Sequence, residues 1–158
     1  IMHIGEKLKQ GQSVAVFLEG TTSQGNWVRP FLPSMLQPAM EGSHPIVPVS
    51  LVWKTTREGM TVEDDVAYWK DITFVKHAWR LLGLKGVEVE VRFGDPIFHD
   101  PGIGSGITPD KRSSAMGSAR KDLALRLHDR VVQLGGFRKD IPGSYHSLEE
   151  TRKLFSGQ

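Results

Sequence analysis

The chain has 158 residues, 39% of them hydrophobic and 24% charged. That suits one domain with its own core, and it excludes a disordered chain, a collagen-like repeat and a coiled coil. The net charge is only +2 and cysteine is absent, which rules out disulfide frameworks, thiolate metal sites and cysteine nucleophiles.

Ile1, Ile4 and Leu8 recur at helical spacing and Gly11 follows, which predicts a short amphipathic helix. Ser13 to Leu18 is Val/Phe-rich and almost wholly apolar, the pattern of a strand buried on both faces of a parallel sheet. Its five-residue run Val14–Leu18 is the longest apolar stretch in the chain, whereas a membrane span needs about 20 residues. Lys7 and Lys9 also break up any signal-peptide core. A polar turn follows from Glu19 to Gly25, and Pro30-Phe31-Leu32-Pro33 opens a short helix through Met40. Ile46 to Trp53 reads as a second strand with an irregular start at Pro48.

Residues 54–71 are polar and read as a loop. Ile72 to Leu82 forms an amphipathic helix ended by Gly83. Val87 to Phe93 alternates strictly, which predicts a half-buried strand with Val87, Val89, Val91 and Phe93 turned inward. Gly94 to Gly106 is a Gly- and Pro-rich loop. A long helix after Ser113 or Ser114 carries the stripe Ala119, Leu123, Leu127, Val131 and Leu134, and Gly135-Gly136 ends it. Ser147-x-x-Glu150 is a capping-box pattern before a last short helix. Residues 1–136 are expected to form one domain and 137–158 a C-terminal extension. Residues 101–158 carry ten basic and six acidic side chains, but no basic run is interleaved with aromatics, so no nucleic-acid partner is expected. The alternation of helix and strand predicts an α/β fold, with a mainly parallel or mixed sheet flanked by helices.

In such sheets ligands bind beyond the carboxyl ends of the strands. That points to the turn Glu19-Gly20-Thr21-Thr22, where Gly20 lets the backbone turn sharply and expose N–H groups. The hydroxyls of Thr21, Thr22 and Ser23 and the cation of Arg29 add to an anion cradle, and Glu19 is expected to organise the turn by accepting backbone N–H bonds. The opposing reading is a polar loop whose hydroxyls satisfy local backbone groups. No Walker pattern, no Gly-x-Ser-x-Gly elbow and no His-x-x-x-His spacing occurs, and no metal site is expected. His77, between Val75 and Trp79, reads as a half-buried structural histidine, and Tyr68, Trp69 and Trp79 as packing or groove-lining aromatics.

Phe17-Leu18-Glu19-Gly20-Thr21-Thr22-Ser23, followed by Gly25 and Arg29-Pro30-Phe31, resembles the third conserved block of the glycerolipid acyltransferases. Pro45 to Ser50 resembles the fourth, a Val-Pro-Val strand. Tyr68 to Asp71, His77 to Leu82 and Val89 to Pro96 are similar to bacterial 1-acyl-glycerol-3-phosphate acyltransferases. The likeness runs from about residue 5 to residue 134. It departs from the family pattern at Leu18, where Pro is usual, and at Thr22, where many members carry a basic residue.

The resemblance implies transfer of a fatty acyl group from a thioester to a lysophospholipid, converting lysophosphatidic acid to phosphatidic acid. The donor is acyl-coenzyme A or acyl carrier protein, and no cofactor is bound. Glu19, Gly20, Thr21, Thr22 and Arg29 would hold the acceptor, and Pro48 and Val49 would support the donor side. The family's His-x-x-x-x-Asp pair has no counterpart here, because none of the six histidines stands at that spacing from an aspartate. It is expected upstream of Ile1, in a chain that would be the C-terminal part of a longer enzyme. That portion alone is expected to be inactive, soluble or peripheral, and to expose an apolar face. The resemblance further implies a membrane surface as partner, at the cytoplasmic face of a bacterial inner membrane. Two alternatives are a lyso-ornithine-type acceptor, which lacks the phosphate, and a non-catalytic module that binds anions or lipid headgroups.

Overall fold

The computed structural model describes residues 2–69, 73–99 and 109–138. Helix α1 (Met2–Lys9) packs against α2 (Gln37–Glu41), where Gly5 brings the α1 backbone close to the Pro38 ring. A 3₁₀ turn, Pro33–Leu36, leads directly into α2. Prolines at the start of both turns supply the fixed φ and the missing N–H that a helix start tolerates. Helices α3 (Phe74–Gly83) and α4 (Pro109–Gly135) and strands β1 (Val49–Thr55) and β2 (Val87–Phe93) complete the set.

The core lies between the α2 region and α4. Leu36, Met40, Leu123, Ala124 and Leu127 are buried together, and Leu18, Phe31, Ile46, Ile97, Met116 and Ala119 close around them. Of the α4 stripe read from its helical spacing, Ala119, Leu123 and Leu127 pack here, while further along the helix Val132 is buried rather than Val131. Leu123 and Leu127 are 0% and 1% exposed.

The sheet differs from the expected one. Among the described residues it has two strands, β1 and β2, paired antiparallel with Val49 opposite Phe93 and Thr55 opposite Val87. The fold is mixed helix and strand, but the expected parallel sheet is not among the described residues. Val14–Leu18 is not a strand. A strand needs a ladder partner, and among the described residues β1 and β2 pair only with each other. The segment instead runs along the surface with Phe17 73% exposed.

The faces of β2 are also reversed. Ser50 is buried against the end of α4, and Arg92 donates from its guanidinium to the Leu134 carbonyl at 2.7 Å. The face bearing Ser50 and Arg92 is therefore the covered one. By alternation, Val49, Leu51 and Trp53 share the other face with Val89, Val91 and Phe93, and that face is open, with Phe93 69% exposed. The Glu90 carboxylate accepts from Lys54 Nζ at 2.6 Å and from two guanidinium nitrogens of Arg92 at 2.7 and 3.0 Å. Those donors hold it well below the usual carboxylate range, at about 2.

The polar stretch after β1 is more ordered than a loop. Val62–Val66 forms a single π-helical turn. Its start is fixed reciprocally: the Asp64 N–H donates to Thr61 Oγ1 at 3.1 Å, and the Thr61 N–H donates to Asp65 Oδ2 at 2.9 Å. Trp69 donates from Nε1 to the Glu63 carbonyl at 2.7 Å. The expected helix at Ile72–Leu82 is α3, but its first residue lies outside the described residues. So does the final helix expected after Ser147, and with it most of the extension expected at 137–158.

Candidate functional site

Glu19 stands at the end of a tight turn in which the Gly20 N–H donates to the Phe17 carbonyl at 3.2 Å. Gly20 has φ +68°, a left-handed conformation that glycine adopts freely. A Cβ there would also lie 2.6 Å from Leu32 Cδ1. Leu32 is held against the turn by its N–H, which donates to the Leu18 carbonyl at 2.9 Å. Gly20 is therefore required both by the backbone conformation and by the close approach of Leu32.

The Glu19 carboxylate reaches across the loop. The Arg29 N–H donates to Glu19 Oε2 at 2.8 Å, closing a loop between residues ten positions apart. Within it, Ser23 Oγ donates to the Trp27 carbonyl at 3.2 Å and accepts from the Gly25 N–H at 3.4 Å. Gln24, Trp27 and Val28 are buried beneath. The Arg29 guanidinium lies 5.8 Å from the centre of the Trp27 ring, a cation–π distance. Asn26 Nδ2 donates to Glu63 Oε2 at 3.4 Å, which ties the loop to the π turn.

Burial of the Glu19 carboxyl raises its pKa above the ordinary value of 4.5. The Arg29 N–H bond and the charges of Arg29 and then His128 oppose that rise without cancelling it. His128 is a member of the site that motif reading passed over. Its Nε2 lies 3.1 Å from the Val28 carbonyl, which assigns Nε2 as the donor, and its ring stands edge-on to Phe31 with centroids 5.4 Å apart. One signal was available in the sequence. His128 follows Leu127 on the buried stripe and shares helical spacing with Ala124 and Val132, both buried.

The candidate residues divide into three groups. Glu19, Gly20 and Arg29 form one hydrogen-bonded unit. Thr21 and Thr22 are exposed beside it, and their hydroxyls have no protein partner among the described residues. Pro48 and Val49 lie elsewhere: Pro48 lines a cleft of about 310 Å³ with Gly94, Ile97, Arg130 and Leu134, and Val49 opens onto the uncovered sheet face. The expected anion cradle at a helix start takes a different form. The turn neither follows a strand nor leads into a helix, because the next helical residue is Pro33. What gathers at the turn is one carboxylate, one guanidinium and two free hydroxyls. Among the described residues no His, Asp and Glu cluster fit to hold a metal ion occurs.

Comparison with known proteins shows what this loop resembles. Residues 1–52 match the Acyltransferase family model, and that stretch contains every candidate residue from Glu19 to Val49. The chain thus resembles the acyltransferases in the region of its candidate site. A lyso-ornithine lipid O-acyltransferase of Brucella abortus (strain 2308) is 30% identical over an alignment of 106 residues, and the match covers 60% of this chain and 39% of that protein. The chain therefore spans about two fifths of the length of the curated relative it matches. No solved structure matches the chain.

Proposed function

We propose that this chain forms the acceptor-binding part of a lipid O-acyltransferase, in which the Glu19–Arg29 loop receives the headgroup of a lyso-lipid. The carrying observation is the Glu19–Arg29 bond, which fixes a loop with two exposed hydroxyls and a cation inside the stretch matched by the Acyltransferase family. In the reaction the thioester C–S bond breaks, an ester C–O bond forms, and the acceptor hydroxyl proton leaves with the thiol. A base must take that proton, and the family's His-x-x-x-x-Asp pair would supply it from outside these residues. Pro48 would support the donor side from its own cleft, apart from the loop.

For the acceptor, the loop favours a lyso-ornithine-type headgroup over a phosphate. A phosphate dianion calls for converging cations. Among the described residues this loop offers Arg29, stacked on Trp27, with His128 bonded to the Val28 carbonyl, Glu19 beside it and neutral Thr22 where many family members are basic. A headgroup carrying both a carboxylate and an ammonium matches that mixed charge, in keeping with the substrate printed in the relative's name. Lysophosphatidic acid is the second reading, supported by the likeness of the Glu-Gly-Thr block to its acyltransferases.

The test is acyl transfer by the full-length protein with each acceptor and a fatty acyl thioester. Glu19→Ala is expected to lower kcat/KM by about a hundred-fold, since a truncated carboxylate leaves the Arg29 N–H unmet and the loop unheld. Glu19→Gln, whose carbonyl can still accept that N–H, is expected to lose less. Near wild-type rates in Glu19→Ala would remove Glu19 from the site. A preference for lysophosphatidic acid would reverse the choice of acceptor while leaving the reaction class intact.

A further inference from the structure

Helix α3 buries only His77, which packs on the Tyr68 ring with centroids 5.2 Å apart. The Tyr68 ring also meets Phe74 edge-on, and Arg80 pairs with Asp65 of the π turn. The rest of the helix is open. At 3.6 residues per turn, Phe74, Ala78, Leu82, Val75 and Trp79 form one continuous arc of about 140°. Trp79 is 79% and Leu82 82% exposed, with Phe74 and Val75 close behind. Lys76 and Arg80 follow next around the helix, beyond Trp79, and Lys85 lies just past its end, also exposed. The helix has no acidic residue.

Charge decides what this face fits. A helix with Trp, Phe and Leu on one side, Lys76 beside them and no acidic residue matches an anionic membrane interface, where aromatic rings sit at headgroup depth and lysines meet lipid phosphates. The open face of the β1–β2 sheet is different, because Lys54 and Arg92 lie on its opposite side and are engaged by Glu90. We propose that α3 docks the protein on an anionic bilayer, with the Phe74–Val75–Ala78–Trp79–Leu82 face in the acyl boundary and Lys76 and Lys85 at the headgroups. This rests on α3 and its charges, independently of acyl transfer.

The test uses the full-length protein with vesicles of phosphatidylcholine alone or of equimolar phosphatidylcholine and phosphatidylglycerol, and a lipid-free control. Sedimentation with the phosphatidylglycerol vesicles, weakening with salt, is expected. Brominated lipid should quench part of the tryptophan emission, and that part should vanish in Trp79→Phe. Trp79→Ser with Leu82→Ser should weaken association by about ten-fold or more. Lys76→Gln should weaken it about five-fold. All these side chains are exposed, so circular dichroism should be unchanged; if the double serine variant does not fold, the quenching in wild type and Trp79→Phe decides. Equal association with both vesicle types, or none, overturns the proposal. So does lipid-free self-association that Trp79→Ser abolishes, since the face would then be a protein contact.

Discussion

At the residue scale, Glu19 joins structure to chemistry. Its carboxyl is half-buried and still holds the Arg29 N–H, so its proton equilibrium reports on the closed loop. Because burial raises its folded pKa above 4.5, the protonated form favours the folded state. That contribution is complete below the unfolded value and is lost as pH rises through the raised folded value. Glu19→Gln cannot titrate. The stability of the wild type relative to Glu19→Gln, read from urea midpoints, should therefore fall as pH is raised from below 4.5 towards neutrality. A flat difference would show that the carboxyl is more hydrated than its contacts indicate. Glu90 has the opposite sign: held at about 2 by Arg92 and Lys54, it contributes stability that is present above 4.5 and lost as pH falls towards 2. The two carboxylates are separable in one pH series.

At the element scale, α4 is the organising member. It packs on the α2 region through Leu123 and Leu127, meets the sheet through Leu134, and carries His128 to the Val28 carbonyl. Leu127→Ala should cost about 2–5 kcal/mol, as expected for a fully buried leucine in a tight core, measured by chemical denaturation. A loss under about 1 kcal/mol would mean the core collapses around the gap. The α4 stripe, α3, and the β1 and β2 positions were legible because periodicity follows local geometry that each segment carries in itself. Which face of β2 is covered was not legible. The alternation of Val87, Val89, Val91 and Phe93 says that one face is apolar, and α4 settles on the other through Ser50 and Arg92. The Val14–Leu18 segment failed as a strand for a related reason, since apolar composition does not supply a ladder partner. In the site, the Glu-Gly-Thr turn was legible from glycine and hydroxyl spacing. His128 was not, because its role depends on a contact across 100 residues of sequence.

At the scale of the whole molecule, the apolar face expected from sequence is present twice, on the β1–β2 sheet and on α3. Among the described residues no helix is long and apolar enough to cross a membrane. If the reaction runs as proposed, the 158-residue chain given an acyl thioester and a lyso-lipid should show no turnover, because none of its histidines has the spacing of the family's base. Release of free thiol coupled to diacyl product would show that a base does operate within these residues, and His128 would then be the first to replace.

The π turn Val62–Val66 has a mechanical consequence. Glu63 holds Asn26 of the Glu19–Arg29 loop, and Asp65 holds Arg80 of α3. Loop and helix are thus both tied to one short turn, at residues two positions apart, while His128 of α4 holds the loop from the other side. A force applied to α3 has a route to the loop that bypasses the packed interior.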